Sequence, residues 1–138
     1  MAVTKQKGEV AEAFVTYFLK KHGFNVLIPW GEDTRYDLVI EKNGVFKRVQ
    51  VKYITPKNGV LEIPIRSSNN HSIIHYSEKD IDIIAAYSPE SQKVYLIPLK
   101  NIRNRRAVKL RLEPARNKQK KYVTMATCYE SRVDFLER

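Results

Sequence analysis

Residues 36–53 read YDLVIEKNGVFKRVQVKY. Two runs rich in β-branched and aromatic residues flank Asn43-Gly44. A type I′ turn needs positive φ at both central positions, and Asn-Gly supplies it, so the stretch predicts a hairpin of Tyr36–Lys42 and Val45–Ile54. A two-residue loop pairs Lys42 with Val45. Counting back along both strands then sets Asp37 opposite Gln50. Opposed residues share a face with Cβ atoms about 5 Å apart. Strand alternation adds Arg48 and Lys52 to that face and places Tyr36, Leu38, Val49 and Val51 on the other, the expected core side. A bulge would shift this register.

Working outward, Ala11, Phe14, Val15, Phe18, Leu19 and His22 fall at helical spacing, which predicts a helix over Gln6–His22. Thr4 can cap its start, and Gly23 stands where a left-handed C-terminal cap belongs. Short strands are expected at Asn25–Pro29, Val60–Ile65, Ile81–Tyr87 and Lys93–Pro98, with turns at Pro56–Gly59 and Ser88–Gln92. Gly31–Thr34 reads as a polar loop and Arg66–Ser77 as polar and irregular. Val108, Leu110 and Leu112 alternate with Lys109 and Arg111, which predicts a half-buried strand with a basic outer face. A final helix over Asn117–Glu130 would bury Tyr122, Met125, Ala126 and Tyr129. A helix, a run of strands and a last helix imply an α/β class around a mixed sheet.

The chain of 138 residues is one domain's worth and long enough to bury a sizeable core. No run of about 18 apolar residues is present, so no membrane-spanning helix is expected. The basic start, Met1–Lys7, lacks the apolar segment of a secretory signal. A single cysteine, Cys128, excludes a disulfide framework and a multi-cysteine metal site, and points to a reducing, cytoplasmic setting. That cysteine is expected to be buried. Net charge is +10, and it is concentrated: Lys100–Lys121 holds ten basic residues and one acid, Glu113. The remainder is nearly neutral. Such a strip suits a polyphosphate backbone, which releases counterions when it is neutralised.

Asp37 and the Gln50 carbonyl are hard oxygen ligands. With a main-chain carbonyl and waters they suit Mg²⁺, with Mn²⁺ as a substitute. A metal there would bind a phosphate oxygen and acidify an attacking water. Lys52 could orient or deprotonate that water and offset developing charge. The same three residues equally fit a polar, solvated sheet face, and the pattern alone does not separate the two.

Asp37, twelve intervening residues, then Gln50-Val51-Lys52 resembles the PD-(D/E)XK nuclease signature. Lys7-Gly8, Glu12 and Lys21-His22-Gly23-Phe24 are similar to the opening of archaeal Holliday-junction resolvases. Tyr36 stands where the motif has proline, and Gln50 where it has an acid. In that second departure the chain is similar to the small homing endonucleases of cyanobacterial group I introns, which carry Gln-Val-Lys. Residues 76–82, Ala86-Tyr87, residues 95–98, residues 114–117 and Gln119 extend this likeness over nearly the whole chain. The resemblance implies a restriction-endonuclease-like core: a mixed sheet flanked by an N-terminal and a C-terminal helix, in one nuclease domain spanning residues 1–138. It implies that Glu12 completes the metal site of Asp37, Gln50 and Val51, with Glu9 a second candidate, and that Lys52 is catalytic.

The expected partner is double-stranded DNA, gripped by Arg66, Ser68, Asn69, Asn70 and His71, and by Arg103, Arg105, Arg106, Lys109, Arg111, Arg116 and Lys118 of the basic segment at about 100–121. Such a small chain reaches a long site only as a symmetric oligomer, a dimer or tetramer. The expected activity is Mg²⁺-dependent, site-specific cleavage of DNA by a nucleoid-associated protein. The alternatives are a junction resolvase and an inactive nucleic-acid-binding module. His71 and His75 lack a third zinc ligand, Asp80 and Asp82 read as structural or capping residues, and Trp30 as a packing residue.

Overall fold

The computed structural model describes residues 4–69, 72–102, 105–114 and 123–137. Helix α1 spans Thr4–Lys21 and buries Ala11, Val15 and Leu19. Gly23 at φ +88° ends it. The Gly23 N–H donates to Lys20 O at 3.0 Å, and the Phe24 N–H reaches back to Leu19 O at 3.1 Å. These are the two bonds of a left-handed C-terminal cap.

Strands β1 (Asn25–Leu27), β2 (Leu38–Lys42), β3 (Val45–Tyr53), β7 (Ile83–Ser88) and β8 (Lys93–Pro98) form one mixed sheet in the order β1-β2-β3-β7-β8. Only the β3–β7 pairing is parallel among its four. Asn43 (φ 54°) and Gly44 (φ 81°) form the turn between β2 and β3. Lys42 pairs with Val45 and Leu38 with Val49, the register read from the turn. Between β3 and β7 the chain makes β4 (Val60–Pro64) and a small hairpin of β5 (Arg66–Asn69) and β6 (Ser72–His75). Strand β9 (Ala107–Arg111) pairs with β4.

The sheet carries apolar layers on both faces. Leu38, Ile40, Val49, Ile83, Ala85 and Leu96 meet α1 on one side. Ile54, Ile84, Ala86, Tyr95 and Ile97 meet Leu61, Ile63, Val108 and Leu110 of β4 and β9 on the other. The interior strand β7, between β3 and β8, is buried along its whole length, as a strand covered on both faces is.

Five expectations require correction. Arg66–Ser77 is not irregular: it holds the β5–β6 hairpin, in which no apolar alternation marks β5. The final helix is absent from 123–130. That segment bridges to Arg111 through Met125 and makes a 3₁₀ turn at Ala126–Cys128, followed by another at Val133–Leu136. Leu112 lies past the end of β9 and is exposed. Cys128 is exposed. Trp30, expected to pack, is wholly exposed, and so is much of Ile28.

Arg48 and Asp82 fasten β3 to the approach to β7. The guanidinium makes two bonds of 3.1 Å to the two carboxylate oxygens, and the Arg48 N–H donates to Asp82 Oδ2 at 2.8 Å. Burial raises the Asp82 carboxyl, but the Arg48 guanidinium and N–H outweigh it and hold it below the usual carboxylate range. The stabilisation is therefore present above the usual Asp pKa and lost as pH falls through the lowered folded value. Asp82→Ala is expected to cost about 1–2 kcal/mol. Urea midpoints of the two proteins should differ at neutral pH and converge in acid.

Candidate active site

Asp37 leaves the ladder one residue before β2 begins. Its N–H donates to Val49 O at 2.9 Å, although Leu38 is the residue registered opposite Val49. Two consecutive residues thus oppose one, which is a bulge, and bulges re-aim side chains. In an unbroken ladder the Val51 N–H would meet the Tyr36 carbonyl. Here it donates to Asp37 Oδ2 at 2.7 Å. The carboxylate takes the place of a main-chain carbonyl at the end of the sheet, where both faces are within reach. The bulge also turns Tyr36 over. Expected on the face of Leu38, it packs on the opposite side with the β4–β9 cluster.

From the helix side Glu12, exposed on its own helix, brings its carboxyl within hydrogen-bonding reach of Asp37. Partial burial raises the Glu12 carboxyl, with the Asp37 charge and hydrogen bond and the Glu9 charge adding to it. Burial likewise raises Asp37, against the lowering effects of the Val51 N–H, the Lys52 charge and the bond to Glu12. Two carboxyls in contact cannot both ionise easily without a cation between them.

From the other face come Gln50 and Lys52. Burial lowers the Lys52 ammonium, opposed by the nearby charge of Asp37. Its Nζ donates to Arg66 O at 2.8 Å and lies 5.4 Å from the centre of the Tyr76 ring. Gln50 is only 8% exposed. Its Nε2 lies 3.5 Å from Tyr76 Oη, and its buried Oε1 has no hydrogen-bond partner among the described residues. An orphaned buried acceptor costs about 1–3 kcal/mol unless something is bound to it. The bulge undoes the expected direct opposition of Asp37 and Gln50. Asp37 and Glu12, which are in contact, are hard oxygen donors of the kind a divalent cation takes, and the orphaned Gln50 Oε1 is a third oxygen of that chemistry on the other face. Among the described residues no three His, Cys, Asp or Glu side chains group as a metal site.

Arg48, expected on the site face, is engaged by Asp82. Asp80 caps a turn, accepting from the Ser77 N–H at 3.1 Å and facing Arg35 at 3.5 Å. Arg66 is exposed at the start of β5, and Ser68 and Asn69 follow on that strand. Arg105, Arg106 and Lys109 are exposed, and Arg111 is half-buried with its Nε on Glu113 O. Asn70, His71, Arg103, Arg116 and Lys118 lie outside the described residues. Tyr76 was not identified from sequence as a site residue. It meets Gln50 and Lys52 only through folding, across more than twenty residues of chain, and no local spacing announces it.

The chain is similar over 98% of its length to a bacterial homing endonuclease, I-Ssp6803I, with 26% identity, a TM-score of 0.78 and 93% of that chain covered. No curated protein matches it. The family model of the PD-(D/E)XK endonucleases matches residues 2–132, which includes Glu12, Asp37, Gln50 and Lys52, and the chain belongs to that nuclease family.

Proposed function

We propose that this nuclease hydrolyses phosphodiester bonds of double-stranded DNA in a Mg²⁺-dependent, site-specific reaction of the homing-endonuclease kind. The observation that carries the reading is the unpartnered Gln50 Oε1, buried on the strand that also presents Lys52 and binds Asp37. In its family's motif that position is an acid. An amide oxygen still ligates, but it contributes no charge, so Asp37 and Glu12 would supply the anionic donors and the Val51 carbonyl a further oxygen. Bound there, Mg²⁺ would supply Lewis-acid stabilisation of the phosphate and a water of lowered pKa. Asp37 holds its orientation through the Val51 N–H. Glu12 would hold the metal or its water from the helix side. Lys52, kept near Asp37, would orient the attacking water and offset charge on the phosphate. Exposed Arg66, Arg105, Arg106 and Lys109 provide cations for the flanking backbone. A two-fold oligomer would present two such sites to the two strands.

The direct test is incubation with a panel of end-labelled linear duplexes and four-way junctions in Mg²⁺, Mn²⁺ or EDTA. Metal-dependent cutting of duplex at one sequence is the expected result. Cutting confined to junctions would replace homing by resolution, and tight binding with no turnover in either metal would leave only a binding module. Charge at position 50 gives a second check. Gln50→Glu is expected to lower the Mg²⁺ concentration for half-maximal cleavage by about tenfold, since a carboxylate replaces a neutral ligand. A Mg²⁺ titration of the initial rate reads it.

A further inference from the structure

Beside the catalytic cluster lies a second built feature. A cavity of about 500 Å³ is lined by His75, Tyr76, Lys79, Leu99, Ile102, Arg105 and Arg106, with Ser77 and Glu78. Its floor is apolar: Leu99 and Ile102 are buried. Its wall is the Tyr76 ring, whose hydroxyl reaches Gln50 and whose face lies under Lys52, so cavity and catalytic cluster share one side chain. Lys79, Arg105 and Arg106 are exposed, and none is paired with a carboxylate among the described residues.

The turn that forms one side is held rigidly. Arg48 donates to Lys79 O at 2.6 Å and to Glu78 O at 2.7 Å. Asp80 accepts from the Ser77 N–H, and the Ile81 N–H donates to Ser77 O at 3.1 Å. A cavity shaped before its ligand arrives spends little ordering entropy on binding. Its size is that of small-molecule sites, which bury an apolar body and fix it with a few polar groups. Three cations without a carboxylate partner among the described residues, set beside apolar Leu99 and Ile102 and the Tyr76 ring, match a nucleotide: phosphate on the cations, base on the apolar side chains and ring.

We propose that this cavity is a nucleotide subsite, which takes one nucleotide of the substrate strand lifted from the stack beside the phosphate that is cut. The inference rests on the nuclease reading, but its test needs neither metal nor turnover. Titration calorimetry of the full chain in EDTA would compare dAMP, deoxyadenosine and inorganic phosphate. The expected result is that dAMP binds at least tenfold more tightly than either fragment, and that Arg105→Ala/Arg106→Ala loses at least tenfold for dAMP with an unchanged melting temperature. Phosphate binding as tightly as dAMP would reduce the cavity to an anion patch and overturn the proposal. So would unaltered dAMP affinity in the double variant. Asp37→Ala is expected to bind dAMP as the parent does. If the parent cut no DNA in Mg²⁺ or Mn²⁺, the proposed cleavage activity would fail while the dAMP result stood.

Discussion

Replacing Asp37 by alanine is expected to lower Mg²⁺-dependent cleavage by about a thousandfold or more while changing DNA affinity only a few-fold. The size follows from what the carboxylate touches. In the proposed site it is the more enclosed of two acids, and the third donor is neutral, so its loss would leave Glu12 as the single anionic ligand beside an amide. It also fixes the site by accepting the Val51 N–H. Affinity is expected to be spared because the cations proposed to meet DNA phosphates, on β5 and β9 and before β9, lie on other elements. Single-turnover rates at saturating enzyme, set beside filter binding in Ca²⁺, separate the two. A variant that cut at a tenth of the parent rate would move the metal elsewhere. A variant that lost cutting and binding together would make Asp37 a structural residue. The fold has a specific reason to survive the change: the partner lost is one N–H at the end of a strand, where solvent water can replace the carboxylate.

Legibility from sequence divides along a physical line. The β2–β3 hairpin was readable because Asn43-Gly44 fixes a turn by backbone sterics alone and the two flanking runs then have no freedom of register. Helix α1 was readable because its buried residues recur at helical spacing and Gly23 ends it. The bulge at Asp37 was not readable, because it depends on which acceptor the Val51 N–H finds once β2 runs out. It matters most, since it brings Asp37 to the sheet end and sends Tyr36 to the opposite face. The β5–β6 hairpin was missed because Arg66, Ser67, Ser68 and Asn69 carry no apolar alternation. The end of the chain misled for the opposite reason. Met125, Ala126 and Tyr129 have the spacing of a helix, yet a 3₁₀ turn and a bridge to β9 bury Ala126 with less regular backbone. Trp30 shows the limit of composition-based reasoning: a tryptophan is a good core residue on average, and this one touches solvent all round.

Lys52 carries the second large effect. Lys52→Ala is expected to reduce the rate of cleavage by a factor of about 10²–10⁴ with DNA binding retained, the range for a positioned proton-transfer or charge-stabilising group. One complication is built into the structure. Its Nζ also holds Arg66 O, the first carbonyl of the β5–β6 hairpin, so alanine could loosen an element expected to touch DNA. Lys52→Met removes the charge and the donor but keeps the length and the packing on Tyr76, so it isolates the loss of the ammonium. If chemistry is what Lys52 provides, methionine and alanine should be equally slow, and both should bind DNA as the parent does. If Lys52 only braces Arg66, both should weaken DNA binding and recover rate at high enzyme concentration. Lys52→Arg is expected to rescue poorly, because a planar fork cannot occupy the place of a compact ammonium between Asp37, Arg66 O and the Tyr76 ring. Burial disfavours the charged lysine and Asp37 favours it. Removing Asp37 therefore leaves the ammonium less supported, and the two substitutions should combine to less than the product of their separate effects, as expected for residues that act as one unit.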